Sequence, residues 1–184
     1  MRIITGRLRG RKLRQPTGND IRPTTDIVKE AVFSIIQFDI EGKVFLDLFS
    51  GTGQMGLEAF SRGAAKVYFA DSSAESVKLI KKNVESCDIE DSSCLVIKNT
   101  HASALLKSLT EKVGVAFLDP PFERGHLEKH LPLLVPCMSD DGIIICEHEV
   151  GLELPREVDT FAVHKTYKYG KTALTVYTSG AVEE

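Results

Sequence analysis

The chain has 184 residues, of which 42% are hydrophobic and 27% are charged, and these values are ordinary for one globular domain with a sizeable core. No apolar run approaches the roughly 18 residues of a membrane-spanning helix, and the arginine-rich N-terminus lacks the apolar segment of a secretory signal. We therefore expect a cytoplasmic protein without a membrane partner. The formal net charge of −3 does not by itself favour a nucleic-acid binder.

The basic residues, however, are concentrated at the N-terminus. Residues 1–23 contain seven basic side chains and one acidic side chain, a formal charge of +6, so the remaining residues carry −9. A basic segment on an acidic body is typical of a protein that contacts a polyanion, and the alternative is a solvated charged tail. Alternating Ile and Leu residues with Gly6 and Gly10 favour a short β-hairpin, with strands over 2–5 and 12–15. The candidate contacts are Arg7, Arg9, Arg11, Lys12, Arg14 and Arg22.

The rest of the chain alternates between helices and strands. A helix is predicted over 27–36, because apolar residues recur at helical spacing after three possible capping residues, Thr24, Thr25 and Asp26. Near-continuous apolar strands separated by amphipathic helices then predict a parallel sheet buried on both faces. The predicted strands are 44–48, 66–70, 95–98, 113–118 and 142–147, and the predicted helices are 55–62, 74–86, 102–109 and 127–137. An antiparallel hairpin over 160–168 and 172–178 closes one edge.

A glycine-rich turn follows the first of these strands. Gly51, Gly53 and Gly56 fit the pattern GxGxxG between a strand and a helix, where glycines allow a tight turn and the close approach of a ligand. Asp71 lies about 20 residues further on, where a carboxylate can accept hydrogen bonds from both hydroxyls of a ribose. The order of strand, turn, helix and acidic residue predicts a cofactor that contains adenosine. The candidate residues are Asp47, Phe49, Ser50, Gly51, Thr52, Gly53, Gly56, Asp71 and Ser72.

The position of Asp47 distinguishes between two such cofactors. Its carboxylate, four residues before Gly51, would repel the pyrophosphate of NAD but would attract the ammonium and sulfonium groups of S-adenosylmethionine. The alternative is a structural turn in which Asp47 only caps the backbone. We therefore predict S-adenosylmethionine as the cofactor.

A second motif, Asp119-Pro120-Pro121-Phe122, follows the fourth strand. Because ligands of parallel sheets bind beyond the carboxyl ends of the strands, the motif should lie beside the glycine loop. The prolines restrict the backbone and lack N–H groups, so the Asp119 carboxylate and the Pro120 carbonyl can both accept from one exocyclic amino group. Phe122 offers a ring on which a base can stack. These four residues are the candidate catalytic residues, and the alternative is a plain end of the strand.

The pattern assigns no chemical role to the four cysteines or to His148. The cysteines form no CxxC pair and have no histidine at the spacing of a zinc site, so they indicate reduced thiols and no metal. His148, between two glutamates at the end of the fifth predicted core strand, is interpreted as an ordinary surface residue.

Together the motifs carry a family resemblance. The glycine loop with Asp-Pro-Pro-Phe resembles the amino-methyltransferases that act on bases of DNA and RNA. Three segments narrow the resemblance: residues 6–13 (Gly-Arg-Leu-Arg-Gly-Arg-Lys-Leu), 22–26 (Arg-Pro-Thr-Thr-Asp) and 47–53 (Asp-Leu-Phe-Ser-Gly-Thr-Gly). They are similar to the bacterial small-subunit rRNA guanine-N2 methyltransferases, the methyltransferase D family of 16S rRNA. The resemblance runs from about residue 2 to about residue 178.

This resemblance implies a Rossmann-like class I α/β methyltransferase fold. It would have a mostly parallel seven-stranded sheet with an antiparallel C-terminal edge, a hairpin extension over 1–22 that contacts RNA, and a methyltransferase domain over 23–184. The implied reaction transfers a methyl group from S-adenosylmethionine to N2 of a guanine in 16S rRNA. The implied substrate is an assembled or partly assembled small ribosomal subunit, and the enzyme is expected to be a monomer.

One position departs from the family, which usually has Asp or Asn after the third strand to contact the adenine amino group. Here His101 stands there, followed by Ala102, and a neutral histidine can still accept a hydrogen bond. Two other functions remain open at this point. One is an N6-adenine DNA methyltransferase, although no separate target-recognition domain is evident. The other is a catalytically idle RNA-binding module, against which the intact Asp119 and glycine loop argue.

Overall fold

The computed structural model describes residues 1–16, 25–121 and 125–180. Arg22 and Phe122, two of the predicted functional residues, lie outside these ranges. The helices are α1 (Asp26–Ile35), α2 (Gln54–Ser61), α3 (Ala74–Ser86), α4 (Ala102–Ser108) and α5 (His126–Leu134), followed by a 3₁₀ turn at Val135–Cys137. The strands are β1 (Val44–Leu48), β2 (Lys66–Asp71), β3 (Leu95–Asn99), β4 (Val113–Leu118), β5 (Met138–Glu149), β6 (Glu157–Val158), β7 (Phe161–Tyr169) and β8 (Thr172–Ser179).

All eight strands form one sheet in the order β3-β2-β1-β4-β5-β8-β7-β6. β1 to β5 run parallel to their neighbours, whereas β8 is antiparallel to β5 and β7 is antiparallel to β8. The predicted α/β fold with a parallel sheet and an antiparallel C-terminal edge is therefore confirmed. The two-residue strand β6 at the outer edge was not predicted, and it brings the total from seven to eight.

Helices cover both faces of the sheet. The core of one face combines side chains of α1, α2 and α3 with Phe45, Phe69 and Phe117. The core of the other face combines α4 and α5 with Leu46, Leu118 and neighbouring strand residues. Burial on both faces explains why the parallel strands are almost continuously apolar.

The N-terminal segment folds back on itself, but its strands are shorter than predicted. A single antiparallel bridge pairs Arg2 with Lys12, and Ile3 and Leu13 insert into the core on the α1–α3 side. The N–H groups of Ile4 and Thr5 donate to the buried Glu58 of α2, at 2.8 and 3.0 Å, instead of to an opposing strand. Backbone hydrogen bonds from Ile3 to Arg11 and from Leu13 to Met1 keep part of the predicted β-ladder, and a side chain distant in sequence takes over from it at Ile4 and Thr5. Residues 1–16 are called the N-terminal arm below.

The bounds of α5 and β5 differ most from the sequence prediction. α5 begins one residue earlier, at His126, and is shorter than expected because a 3₁₀ turn with Pro136 follows it. A proline lacks the N–H group that would continue the helical ladder. β5 begins four residues earlier and ends two residues later than predicted. Within the described ranges no helix is long and apolar enough to span a membrane, no group of three or more metal-binding side chains occurs, and all four cysteines are free.

Candidate active site

A cleft of about 660 Å³ opens at the carboxyl ends of β1, β2, β4 and β5, where α1 covers it from one side. It is called the main cleft below because it holds the predicted residues; a larger depression of about 1110 Å³ lies elsewhere, near Arg156 and Ser179. The glycine loop and the Asp119 motif meet there, as the sequence predicted from the geometry of parallel sheets. The predicted residues that line this cleft are Asp47, Phe49, Ser50, Gly51, Thr52, Asp71, Ser72, Asp119, Pro120 and Pro121.

The glycine loop is held by hydrogen bonds to the neighbouring strand. The N–H groups of Phe49 and Ser50 both donate to the carbonyl of Ala70 in β2, each at 3.0 Å. Gly51 and Gly53 adopt positive φ angles of 51° and 75°, a conformation that costs little only for glycine. The loop then turns directly into α2, whose N-cap is Gly53.

The three glycines of the motif serve different purposes. Gly51 lines the cleft, as expected for close approach of a ligand. A Cβ at Gly53 would instead lie 3.1 Å from Ile80, and one at Gly56 would lie 2.2 Å from the ring of Phe69. At Gly53 the nearest atoms belong to the protein core, so the missing side chain allows packing against Ile80, and the contact of Gly53 with the cofactor stays a prediction. Gly56 allows close packing of α2 on β2.

Asp47 is the most deeply buried carboxylate of the cleft, with 1% of its surface exposed. Its Oδ2 accepts a hydrogen bond from the N–H of Gly56 at 2.9 Å. Burial raises the pKa of Asp47 well above its usual range; the Gly56 hydrogen bond opposes this, and the charges of Asp119 and Asp71 add to it. A cation bound in the cleft would favour the ionised form of Asp47.

Asp71, at the end of β2, is fixed by two backbone groups. Its Oδ2 accepts from the N–H of Gly51 at 2.9 Å, and its Oδ1 accepts from the N–H of Ser73 at 2.8 Å. Each carboxylate oxygen has a second lone pair that can accept a further hydrogen bond. The arrangement therefore holds the carboxylate in place and leaves capacity for two ligand hydroxyls.

The Asp119 motif ends β4 on the other side of the glycine loop. Asp119 is half-buried, Pro120 is buried and Pro121 is exposed, and all three line the cleft. The described part of the motif thus lies in the same space as Asp47 and Asp71. A group can pass from a cofactor to a base only if both bind in one cleft, and these residues lie in one cleft.

His101 and Ala102 line a second, adjoining cavity of about 480 Å³. This cavity shares Phe49, Asp71, Ser72 and Pro121 with the main cleft, so the two spaces are contiguous. His101 is exposed at the N-terminus of α4, where its side chain makes no capping hydrogen bond. The sequence placed both residues in the cofactor site, and the structure brings them beside the main cleft rather than into it.

Two histidines of α5 also line the second cavity and were given no role from the sequence. The rings of His126 and His130 stack with centroids 6.0 Å apart, and Phe49 contacts both edge-on. Nδ1 of His130 lies 2.6 Å from the His126 carbonyl, so it carries the proton and Nε2 accepts from Ser103. Burial lowers the pKa of His130. Their i, i+4 spacing could have indicated a shared helix face.

The main cleft includes further residues that the sequence did not single out. Thr25 and Val28 reach it from α1, Glu75 from α3 and Glu147 from the end of β5. His148 was interpreted as a surface residue, and this is wrong because it is buried. Its Nδ1 donates to the Glu149 carbonyl at 2.9 Å, and its Nε2 accepts from the Thr175 hydroxyl at 2.8 Å.

The charge of the main cleft matches a cationic ligand. Five carboxylate side chains line it: Asp47, Asp71, Glu75, Asp119 and Glu147. Among the described lining residues there is no Lys or Arg. A pyrophosphate would be repelled by such a lining, whereas an ammonium and a sulfonium would be attracted. The residues present therefore fit S-adenosylmethionine better than a dinucleotide.

The arginines of the N-terminal arm lie outside the cleft. Arg7, Arg9, Arg11 and Arg14 are all exposed, as is Lys12. The guanidinium of Arg7 lies 3.6 Å from the ring centroid of Phe60, and Arg11 forms an exposed ion pair with Asp88 at 2.9 Å. These contacts orient the side chains without removing them from solvent.

Comparisons with known proteins agree with this geometry. Residues 1–178 match the family model described as "Conserved hypothetical protein 95". The chain is 33% identical over 179 residues to "Ribosomal RNA small subunit methyltransferase D" of Escherichia coli (strain K12), covering 96% of this chain and 89% of that protein. It is 34% identical over 181 residues to "Putative rRNA methyltransferase YlbH" of Bacillus subtilis (strain 168), covering 96% and 98%.

The chain belongs to the small-subunit rRNA methyltransferase D family. The fold agrees as well, since the solved structure described as "Putative methyltransferase yhhF from Escherichia coli" superposes with a TM-score of 0.86 and 33% identity over 99% of both chains. S-adenosylmethionine is the methyl donor of this family. The resemblance inferred from the three sequence segments is thereby confirmed.

Proposed function

We propose that this protein transfers a methyl group from S-adenosylmethionine to the exocyclic N2 amine of a guanine in 16S rRNA of the small ribosomal subunit. The observation that carries the proposal is the position of Asp119 and Pro120 in the same acidic cleft as Asp47, Gly51 and Asp71. One part of the cleft suits a cationic adenosine cofactor, and the other presents acceptors for an amino group. Membership in an rRNA methyltransferase family supports RNA as the substrate.

The cofactor would be held by the β1–α2 and β2–α3 turns. Asp71 would accept hydrogen bonds from the ribose hydroxyls, Gly51 would allow close approach of the backbone, and Asp47 would face the positive charge. The adjoining cavity with His101 and Ala102 would accommodate the adenine ring. Once bound, S-adenosylmethionine supplies an electrophilic methyl group on its sulfonium.

The residues that follow β4 would activate and orient the amine. The lone pair of the guanine N2 is delocalised into the ring, so the amine is a poor nucleophile. Hydrogen bonds to the Asp119 carboxylate and the Pro120 carbonyl would favour a tetrahedral nitrogen whose lone pair points at the methyl group, about 3 Å away. The nitrogen would bond to the methyl carbon directly, without a covalent enzyme intermediate, while the bond from that carbon to the sulfonium breaks and S-adenosylhomocysteine is left. The N2 proton would pass to Asp119 or to water. Phe122 would stack on the base.

The base must leave its stack to reach the cleft, which costs a few kcal/mol. Contacts to phosphates would offset this cost, and we assign them to the basic extension over 1–22, with residues 23–184 forming the methyltransferase domain. The candidate contacts are Arg7, Arg9, Arg11, Lys12, Arg14 and Arg22. The protein would act as a cytoplasmic monomer on an assembled or partly assembled small subunit.

Mass spectrometry of 16S rRNA from a strain lacking the gene tests the proposal. One guanine should lose a single methyl group, and a plasmid with the wild-type gene should restore it, whereas Asp119→Ala should not. Loss of a methyl group from an adenine, or an unchanged rRNA together with altered DNA methylation, would contradict the guanine assignment and favour an adenine methyltransferase.

A further inference from the structure

The N-terminal arm and the glycine loop are joined through one buried side chain. Asn83 of α3 is fully buried, and its Nδ2 donates to the carbonyl of Thr52 in the glycine loop at 2.9 Å. Its Oδ1 accepts from the N–H of Arg14 in the arm at 2.7 Å, and Nδ2 also lies 3.4 Å from the Arg14 carbonyl. The same amide therefore fixes the backbone of both segments.

A second contact links the same two segments. The hydroxyl of Thr52 lies 3.5 Å from the sulfur of Met1, at the beginning of the arm. Thr52 itself is buried and lines the main cleft. A displacement of the arm near Arg14 would therefore also displace Thr52, a predicted residue of the cofactor site. The side chain of Arg14 remains exposed, so the arm can contact RNA while its backbone stays bound to Asn83.

The first part of the arm is anchored independently of Asn83. Ile3 and Leu13 are buried in the core, backbone hydrogen bonds join Ile3 to Arg11 and Leu13 to Met1, and Glu58 and Ser61 accept from further N–H groups. The end of the arm, after Leu13, is held by Asn83 through Arg14. A segment end held in this way loses conformational entropy when a ligand orders it. If one ligand orders the segment first, a second ligand that needs the same order binds at a lower entropic cost.

We infer that Asn83 is a positioning residue that couples the N-terminal arm to the glycine loop, so that cofactor and RNA bind with positive cooperativity. The RNA half of this inference rests on the proposed function, in which the arm contacts RNA. Coupling between two binding sites is reciprocal, so the cofactor should order the arm even when no RNA is present.

The first experiment therefore uses the full chain without RNA. Hydrogen exchange of residues 1–14 is measured with and without saturating S-adenosylhomocysteine, whose binding is verified by calorimetry. The cofactor product should slow exchange in the arm, most clearly at the Arg14 amide. Binding of S-adenosylhomocysteine without any change in the arm overturns the inference, whatever the RNA substrate is.

Two variants separate the bridge from general stability. Asn83→Ala removes both halves of the bridge, whereas Asn83→Asp keeps an acceptor for Arg14 and loses the donor to Thr52. Both should abolish the effect of S-adenosylhomocysteine on the arm. Ser86→Ala is the control, since it removes a hydrogen bond on the same helix, from Ser86 to the Asn83 carbonyl, without touching arm or loop. The Ser86 variant should behave as wild type. If S-adenosylhomocysteine still slows hydrogen exchange of the arm in an Asn83 variant, the inference is wrong.

The second experiment measures RNA binding. S-adenosylhomocysteine should tighten binding of the wild-type protein to unmethylated small subunits by about five- to 150-fold, the usual range of such coupling. It should leave the affinity of the Asn83 variants for these subunits almost unchanged. Equal affinities with and without the cofactor product in the wild type overturn the coupling. A wild-type protein that does not bind the subunits at all contradicts the proposed function instead, while the exchange result stands.

Discussion

The cleft and the N-terminal arm are opposite in charge and in construction. The cleft uses backbone N–H groups to hold carboxylates, as Gly56 does for Asp47 and Gly51 does for Asp71. The arm reverses this arrangement, because buried polar side chains of α2 and α3 hold its backbone while its arginines stay in solvent. In the cleft carboxylate side chains are fixed for chemistry, and in the arm the backbone is fixed while the basic side chains stay exposed. The two regions should therefore respond differently to substitution and to salt.

The largest expected effect is on the chemistry of the cleft. Asp119→Ala should lower methyl transfer by about 100-fold or more, the range for removing one positioned polar group from a reacting centre. The affinity for S-adenosylhomocysteine should change little, because the cofactor is held by other residues. Methyl transfer to unmethylated small subunits and calorimetry measure the two effects. Wild-type turnover in this variant would show that the proposed mechanism is wrong.

The arm should be sensitive to salt rather than to chemistry. Replacing Arg7, Arg9, Arg11 and Arg14 together with Gln should leave the cofactor affinity intact and weaken RNA binding. The log–log slope of affinity against salt should become shallower by roughly three units, since each lost phosphate contact removes about 0.7–0.9. The melting temperature should change little, because these side chains are exposed.

This design improves on deleting the arm, which would also remove Ile3 and Leu13 from the core. A lower melting temperature with an unchanged salt slope would mean that the arm covers the fold and does not contact RNA. In that case the cleft and the N-terminal arm would differ in charge but the arm would have no binding role.

Asp71 tests whether the backbone-held carboxylates bind the cofactor. Asp71→Ala should weaken S-adenosylhomocysteine binding by about 1–3 kcal/mol, because the ribose hydroxyls lose their acceptors. Asp91→Ala is a matched control, since the exposed Asp91 likewise accepts from the N–H two residues further on but lies away from the cleft. Equal affinities of the two variants would remove Asp71 from the cofactor site.

The smallest expected effect is the release of protons on cofactor binding. Burial raises the pKa of Asp47, so this carboxyl keeps its proton to a higher pH than an exposed aspartate when the cleft holds no cation. A cationic cofactor favours the ionised form, so affinity should rise with pH until the raised pKa is passed. Calorimetry in buffers of different ionisation enthalpy should detect protons released by wild type and none from this group in Asp47→Asn. The same release in both proteins would exclude Asp47 as its source.

The pH dependence of folding stability has the opposite sign to that of cofactor affinity. A carboxyl whose pKa is higher in the folded than in the unfolded chain binds its proton more tightly when folded. Its contribution to stability is therefore present at low pH and is lost as the pH rises through the folded value. Asp47 should thus favour folding at acid pH and cofactor binding at higher pH. Asp47→Asn should weaken the pH dependence of folding stability and that of cofactor affinity.

Local sequence determined much of the cleft. A short apolar strand, a turn with three glycines and an acidic residue at the end of the next strand are all close in the chain. Backbone sterics at Gly51 and the side-chain chemistry of Asp71 and Asp119 needed no distant partner to be recognised. The parallel order of the strands then followed from the alternation of helices and strands, and it placed these residues at one edge.

Tertiary structure alone decided how the distant segments meet. The local pattern predicted two paired strands in the arm, but Glu58 and Asn83, at 53 to 69 residues' distance, take up its backbone groups. The glycine pattern did not show that a side chain at Gly53 would meet Ile80, 27 residues further along the chain. His148 looked exposed, and β8 buries it through Thr175. Each of these outcomes depends on contacts between residues far apart in the chain, which periodicity and motif spacing do not encode.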